Sequence, residues 1–259
     1  MTEYTDYHDP EGLRTRGTVV VVPGRGESRA TYGRFGKRLA ADAYRVRVVD
    51  GPEIDADDLN GSLARFGDRL YAAVKGTAAP EGGVAGPVVV VGVDSGAAAV
   101  AALLGLGGTS TAVQPEAVVL AGLPGRTAGT AAVAGTWDDE LDVRTSCPTH
   151  RGVLSDDPEA RRGALDAPLP GALLDAAYHA DLAVPALLLV GDADPLADRD
   201  ALAGTAKTLS RSRLAVVRDA HHDVLNDLQH RSVAAEVVTF LEALRTGLLP
   251  AISVESSAW

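Results

Sequence analysis

Four consecutive valines, Val88–Val91, run without a polar break into Gly92-Val93-Asp94-Ser95-Gly96 and on into the small-residue stretch Ala97–Leu106. A strand wetted on one face alternates apolar and polar residues, whereas a run that is β-branched at every position is buried on both faces. Such strands lie at the centre of parallel sheets, where a crossover, usually helical, must separate successive strands. The rest of the chain keeps that rhythm. Further apolar runs occur at Thr18–Val22, Arg45–Val49, Ala117–Ala121, Ala186–Val190 and Leu214–Val217. Helices are expected between and after them, at Tyr32–Ala41, Asp57–Val74, Ala97–Leu106, Asp198–Leu209 and Asn226–Leu244. The second places Leu59, Leu63, Phe66, Leu70 and Val74 on one face, and the last does the same with Val233, Val237, Leu241 and Leu244. The fold class is therefore expected to be α/β: a mostly parallel sheet with helices on both faces.

The rhythm breaks at residues 126–181, a stretch rich in Pro, Asp and Arg with no long apolar strand. An interruption this long between two strands reads as a small cap or lid insertion, leaving 1–125 and 182–259 as one core. At 259 residues the chain is long enough for a single large domain. A formal charge of −11 argues against partners held by bulk attraction to nucleic acid or to an anionic membrane. The one cysteine, Cys147, excludes an internal disulfide. The start, MTEYTDYHDPEG, lacks the positive charge and apolar run of a signal peptide, and no window approaches membrane-spanning length. These features read as a cytoplasmic protein whose partner is a small-molecule substrate, in an oligomeric state the sequence leaves open. His8, His150, His179 and His230 are scattered without ligand spacing, so neither a metal nor another cofactor is expected.

Ligands of open parallel sheets bind where the strands end at their C-termini. Three such loops carry chemistry here. VVVVPGRGES, residues 19–28, turns tightly at Gly24 and Gly26, and its N–H groups can face an anionic oxygen. In the Gly92–Gly96 turn, a sharp strand-to-helix reversal strains its apex and requires small residues two places before and two after. Centring on Asp94 gives Gly92 and Gly96; centring on Ser95 gives Val93 and Ala97. A β-branched valine where glycine is needed disfavours Ser95, so Asp94 is expected at the apex. The third region is split: VGDADPLAD brings Asp194, and RDAHHDVLND brings His221 and His222 just before the last helix. The chain order is nucleophile, acid, histidine.

On these residues the sequence resembles the α/β-hydrolase superfamily over nearly its whole length, and most resembles its monoacylglycerol lipase and lysophospholipase-like branch. That branch usually reads His-Gly-x-Gly-Glu in the first loop, where this chain reads Pro23-Gly24-Arg25-Gly26-Glu27, and it carries a serine where this chain has Asp94. The resemblance implies an α/β-hydrolase fold. It assigns Asp194 as the acid and His222 as the histidine, with His221 as the other register. It also implies an oxyanion hole made by the backbone N–H groups of Arg25 and Ser95. Because only residues 1–17 precede the first parallel strand, the leading antiparallel strands usual in such folds are expected to be truncated.

An aspartate at the apex changes the reaction. It is ionised at neutral pH and needs no base to become a nucleophile. Attack on a carboxylic ester would give a high-energy anhydride, whereas attack on a saturated carbon displaces a halide or an epoxide oxygen and leaves an ordinary ester. Epoxide hydrolases and haloalkane dehalogenases of the superfamily work in this way. The resulting expectation is a hydrolase of a small apolar substrate, epoxide-hydrolase-like, that passes through a covalent alkyl-enzyme ester on Asp94, with His222 and Asp194 hydrolysing it. Dehalogenases usually place Trp after the nucleophile, where Ser95 stands; epoxide hydrolases usually use two cap tyrosines, where this segment offers Tyr178 and, as a further aromatic donor, Trp137. Both are candidate substrate-binding residues. Two other readings stay open: a serine-type esterase, lipase or thioesterase using Ser95, and a non-hydrolytic catalyst or degenerate binding protein on the same fold.

Overall fold

In the computed structural model, residues 4–79, 82–106, 114–126, 135–252 and 255–257 are described. Seven strands form one sheet in the order β1-β3-β2-β4-β5-β6-β7. They are β1 (Tyr4–Tyr7), β2 (Gly17–Val22), β3 (Tyr44–Val49), β4 (Val88–Val93), β5 (Ala117–Ala121), β6 (Ala186–Gly191) and β7 (Ser212–Val217). All neighbours are parallel except β1, which runs antiparallel to β3 with Tyr4 opposite Val49. The six parallel strands lie where the apolar runs predicted them, within two residues. Among the described residues one antiparallel strand, β1, precedes the parallel set. Its sequence, YTDY, alternates too briefly to stand out, and the Arg47 side chain, which hydrogen-bonds Asp6 at 2.7 Å, helps to hold it.

Each valine-rich strand feeds two cores. Val20, Val22, Val90, Val118, Leu188 and Val190 face one side. There they pack under α2 (Leu59–Lys75), α3 (Ser95–Gly105), α6 (Gly171–Tyr178) and α7 (Arg199–Thr208). Val19, Val21, Val89, Val91, Val119 and Leu189 face the other, under α1 (Gly33–Ala41) and α8 (His230–Leu244). This two-sided burial is what an unbroken β-branched run requires. The α3 helix is buried at every position from Ser95 to Leu103, and its alanines let it lie close against the sheet.

Two of the helix starts that differ from expectation flank the strand-end loops. The α3 helix begins at Ser95 rather than Ala97, directly after the turn. The α8 helix begins at His230 rather than Asn226, because residues 223–229 form irregular turns in which the Asp227 carboxylate accepts from the N–H groups of His221 and Leu228. The interruption also divides. Residues 127–134 of it lie outside the described residues. Beyond them, α4 (Trp137–Arg144), α5 (Pro148–Asp156) and a short turn at Ala164–Asp166 lie over the ends of the strands, bonded to the loops that follow β2 and β7. Its last helix, α6, instead sends Leu173, Leu174, Ala177 and Tyr178 into the main core beside α3. Pro168 and Pro170 made the segment look irregular, although the apolar residues of α6 form one stripe. No helix among the described residues is long and apolar enough to cross a membrane.

Candidate active site

The reversal between β4 and α3 is centred on Asp94, whose φ of 47° and ψ of −116° lie outside the regions open to most L-residues. Holding a non-glycine residue there costs about 1–3 kcal/mol, which the surrounding packing must offset. The flanks show why they are glycine. A Cβ on Gly92 would lie 2.7 Å from the Gly96 carbonyl and the Ala97 Cα, and one on Gly96 would lie 2.5 Å from the Val22 carbonyl. These obstacles are backbone and cannot move aside. Ser95 is the first residue of α3, and among the described residues its side chain makes no hydrogen bond.

Two other strand ends reach Asp94. From the loop after β7, His222 places Nε2 at 3.1 Å from Asp94 Oδ1. From the loop after β6, Asp194 places Oδ2 at 3.0 Å from His222 Nδ1. The other Asp194 oxygen accepts from the Leu196 N–H at 2.8 Å, which fixes the carboxylate plane. The main chain at His222 is tied to the end of α4: the His222 N–H donates to the Val143 carbonyl and the Asp223 N–H to that of Arg144. His221 turns away, its N–H and Nδ1 both facing the Asp227 carboxylate, so of the two registers His222 is the one at the turn.

The loop after β2 contributes more than a backbone donor. The Arg25 N–H donates to Asp94 Oδ2 at 2.8 Å. The Arg25 side chain then closes on the same carboxylate, with Nε 2.9 Å from Oδ2 and Nη2 2.8 Å from Oδ1. Its Nη1 is held by the Leu165 and Ala167 carbonyls, at 3.1 and 2.8 Å. Among the described residues the Ser95 N–H does not reach the carboxylate.

The two groups at the centre are shut away from water: Asp94 is 2% exposed and His222 0%. Burial by itself raises the Asp94 carboxyl. The Arg25 charge, hydrogen bonds from His222 and Arg25, and the His222 charge outweigh it and hold Asp94 well below the usual carboxylate range. Burial lowers His222, but the charge and hydrogen bond of Asp194, joined by those of Asp94, push it up to about 10. At neutral pH these shifts leave Asp94 ionised and His222 protonated.

A second buried network adjoins the first. Arg144, from α4, bonds Glu140 Oε1 at 2.8 Å, reaches Asp223 Oδ1 at 3.5 Å and donates to the Arg25 carbonyl at 2.7 Å. His150, from α5, bonds Asp223 Oδ2 at 2.8 Å. Glu27 accepts from the Gly24 N–H at 2.8 Å and from the Tyr32 hydroxyl, which braces the glycine loop. Its Oε1 is buried without a hydrogen-bond partner among the described residues, and burial and the Asp223 charge push the carboxyl up to about 7 against the pull of Arg144. Glu27, His150 and Asp223 each bring a possible metal-ligand atom within 4.8 Å of the others. Arg144 already supplies a cation there.

The structure thus gathers Asp94, Asp194, His222 and the Arg25 N–H at one point. It does not bring the two aromatic candidates to the carboxylate. The Tyr178 hydroxyl donates to the Pro124 carbonyl at 3.1 Å, and the Trp137 indole N–H donates to Ser155 at 3.0 Å. Sequence reading missed the Arg25 side chain, and it missed Glu27, Glu140, Arg144, His150 and Asp223. Only a charged residue inside the Gly24–Gly26 loop hinted at the first. Nothing in the spacing pointed to the others.

No protein-family model matches the sequence, and no curated protein does. Solved structures do match. A monoacylglycerol lipase from Paleococcus ferrophilus superposes with a TM-score of 0.68 at 16% identity, covering 93% of this chain and 98% of that one. A soluble variant of monoglyceride lipase from Saccharomyces cerevisiae, solved with a substrate analogue, gives 0.68 at 14% identity over 93% and 91%. An α/β-hydrolase fold protein from Chitinophaga pinensis gives 0.62 at 11% identity over 93% of each chain. At these identities the likeness establishes the fold: the chain has the α/β-hydrolase fold.

Proposed function

We propose that this protein is a hydrolase that opens a bond at a saturated carbon, with Asp94 as nucleophile and His222–Asp194 as the pair that hydrolyses the resulting ester. The observation that carries this reading is that Asp94, not Ser95, occupies the strained apex, with Oδ1 3.1 Å from His222 Nε2. In the first step an Asp94 carboxylate oxygen forms a bond to the electrophilic carbon, and the bond to the halide or epoxide oxygen breaks. In the second, water attacks the carbonyl carbon of the Asp94 ester. His222 takes the proton, and the Arg25 N–H stabilises the oxyanion at the position of Oδ2; removal of one such donor typically costs roughly 3–4 kcal/mol of barrier. Ser95 would offer the second N–H.

The electrostatics set the order of events. At rest His222 is an imidazolium and cannot accept a proton. Esterification removes the Asp94 hydrogen bond and charge, the smaller of the effects that raise His222, and leaves the Arg25 cation nearby; the His222 pKa falls from its resting value, which favours release of its proton to solvent and service as base on the ester. With an epoxide, the imidazolium can give its proton to the departing oxygen and so become that base.

Two observations favour other readings. The structural neighbours named as lipases favour an ester substrate and Ser95. The Arg25 clamp on both Asp94 oxygens favours a site that binds without reacting. Intact-mass analysis of the His222→Ala protein after incubation with epoxides and alkyl halides separates the three. An adduct on the peptide containing Asp94 is expected. Labelling of Ser95 in the wild-type protein by a serine-directed phosphonate supports the esterase reading, and no covalent species with any reagent, in the variant or the wild type, supports the binding protein.

A further inference from the structure

Arg25 enters the Asp94 mechanism as a backbone donor, yet its side chain is the more unusual feature. Its fork already holds a carboxylate, that of Asp94, through Nε at 2.9 Å and Nη2 at 2.8 Å. The guanidinium cannot swing freely, because the Leu165 and Ala167 carbonyls fix Nη1 from the far side. It is only 13% exposed, and among the described residues Asp94 is its only ion-pair partner. One Nη2 N–H makes no hydrogen bond among the described residues. A planar guanidinium edge of this kind matches a carboxylate in two-point geometry.

Esterification of Asp94 creates a problem for that cation. When an Asp94 oxygen bonds to carbon, the carboxylate charge disappears and a nearly buried Arg25 loses its counter-ion. Arginine cannot shed its proton to escape. A departing halide diffuses away, and an alkoxide is neutralised on protonation. A carboxylate carried by the substrate itself remains through both steps. Resting on the Asp94 reading, we propose that the Arg25 fork is a carboxylate-binding subsite, and that the substrates are small carboxylates whose neighbouring carbon is electrophilic, with 2-haloalkanoates as the simplest class.

The chemistry balances. An Asp94 oxygen forms the new C–O bond and the C–halogen electron pair leaves as halide. With the Asp94 charge gone, the His222 imidazolium gives its proton to solvent; water then adds to the Asp94 carbonyl, and the neutral His222 takes a proton from it. The tetrahedral species expels the 2-oxido group, which recovers that proton. The products are a 2-hydroxyalkanoate, halide and the second proton of water, and the Asp94 carboxylate returns to the Arg25 fork.

Two experiments test this. The first reads binding alone. Asp94→Ala empties the fork, and calorimetry is expected to show propanoate binding to this variant, reduced at least tenfold in Asp94→Ala/Arg25→Gln. Asp94→Gly, which suits the φ of 47° and also leaves the fork empty, serves if the alanine variant is not folded by circular dichroism. Folded protein that binds no propanoate, or binds it equally without Arg25, overturns the subsite. The second reads chemistry on the wild type and His222→Ala. 2-Chloropropanoate is expected to give halide release and an adduct at least a hundredfold faster than its neutral amide, and Arg25→Gln is expected to abolish that preference. Equal rates with the amide, or reaction of the amide alone, overturn the subsite while leaving the Asp94 nucleophile standing. Propanoate binding with no adduct from any alkyl halide or epoxide overturns the Asp94 reading instead and leaves Arg25 as an anion site.

Discussion

The Arg25–Asp94 pair can be weighed by a double-mutant cycle on stability. Asp94→Asn keeps the shape of the side chain but leaves the Arg25 guanidinium, 13% exposed, without an anion. Removing one partner of a buried pair typically costs about 3–5 kcal/mol. His222 relieves its own share of the strain by giving up its proton, so the cost falls mainly on Arg25. Arg25→Gln is milder, because Asp94 keeps His222 at 3.1 Å and the Arg25 N–H at 2.8 Å; about 1–3 kcal/mol is expected for the lost charged hydrogen bonds. The double variant strands no cation at Arg25. Its loss is expected to fall short of the sum of the single losses by at least about 2 kcal/mol, and it is expected to be more stable than Asp94→Asn alone. For a chain of this size, Asp94→Asn should lower Tm by about 6–20 °C. Urea unfolding of the four proteins measures the coupling. Additivity within about 0.5 kcal/mol would refute the pairing and with it the charge balance of the site.

Four further outcomes are expected. Ser95→Ala should leave any Asp94-dependent turnover within a few-fold of wild type in a steady-state assay, whereas Gly96→Ala, whose Cβ would lie 2.5 Å from a backbone oxygen, should abolish it and lower Tm. Acidification should make the alkyl-enzyme ester accumulate, because Asp94 stays ionised well below the usual carboxylate range while hydrolysis requires neutral His222; rapid-quench mass analysis reads this. The pairing of His222 should stabilise the fold fully below its unfolded pKa near 6.5 and fade as pH rises through about 10, and that of Asp94 should be lost only as pH falls through its lowered pKa, so the gap in urea midpoint between His222→Ala and wild type should narrow as pH rises through about 10. Arg144→Ala should cost about 3–5 kcal/mol in urea unfolding, because it strands the buried carboxylates of Glu140 and Asp223.

How much of this could be read without the structure depends on distance along the chain. The valine runs at 19–22 and 89–91 are buried on both faces, and that burial follows from the residues themselves. The centring of the turn on Asp94 follows as well, since a Cβ at residue 92 or 96 would strike backbone within its own loop or in the neighbouring strand. Such local sterics and periodicities are written residue by residue. The order of Asp94, Asp194 and His222, each just past a strand, set their meeting place once the strands were parallel. The direction of a long side chain is another matter. Arg25 and Asp94 are 69 positions apart, and only the Leu165 and Ala167 carbonyls, more distant still, aim the guanidinium at the carboxylate. Arg144 and Asp223, 79 positions apart, and the choice of His222 over His221 likewise depend on how α4 meets the last loop. Sequence alone determined a doubly covered parallel sheet with an aspartate at its sharpest turn. Tertiary packing decided which charges surround that aspartate, because arginine and histidine take their orientation from partners that only the completed fold brings within reach.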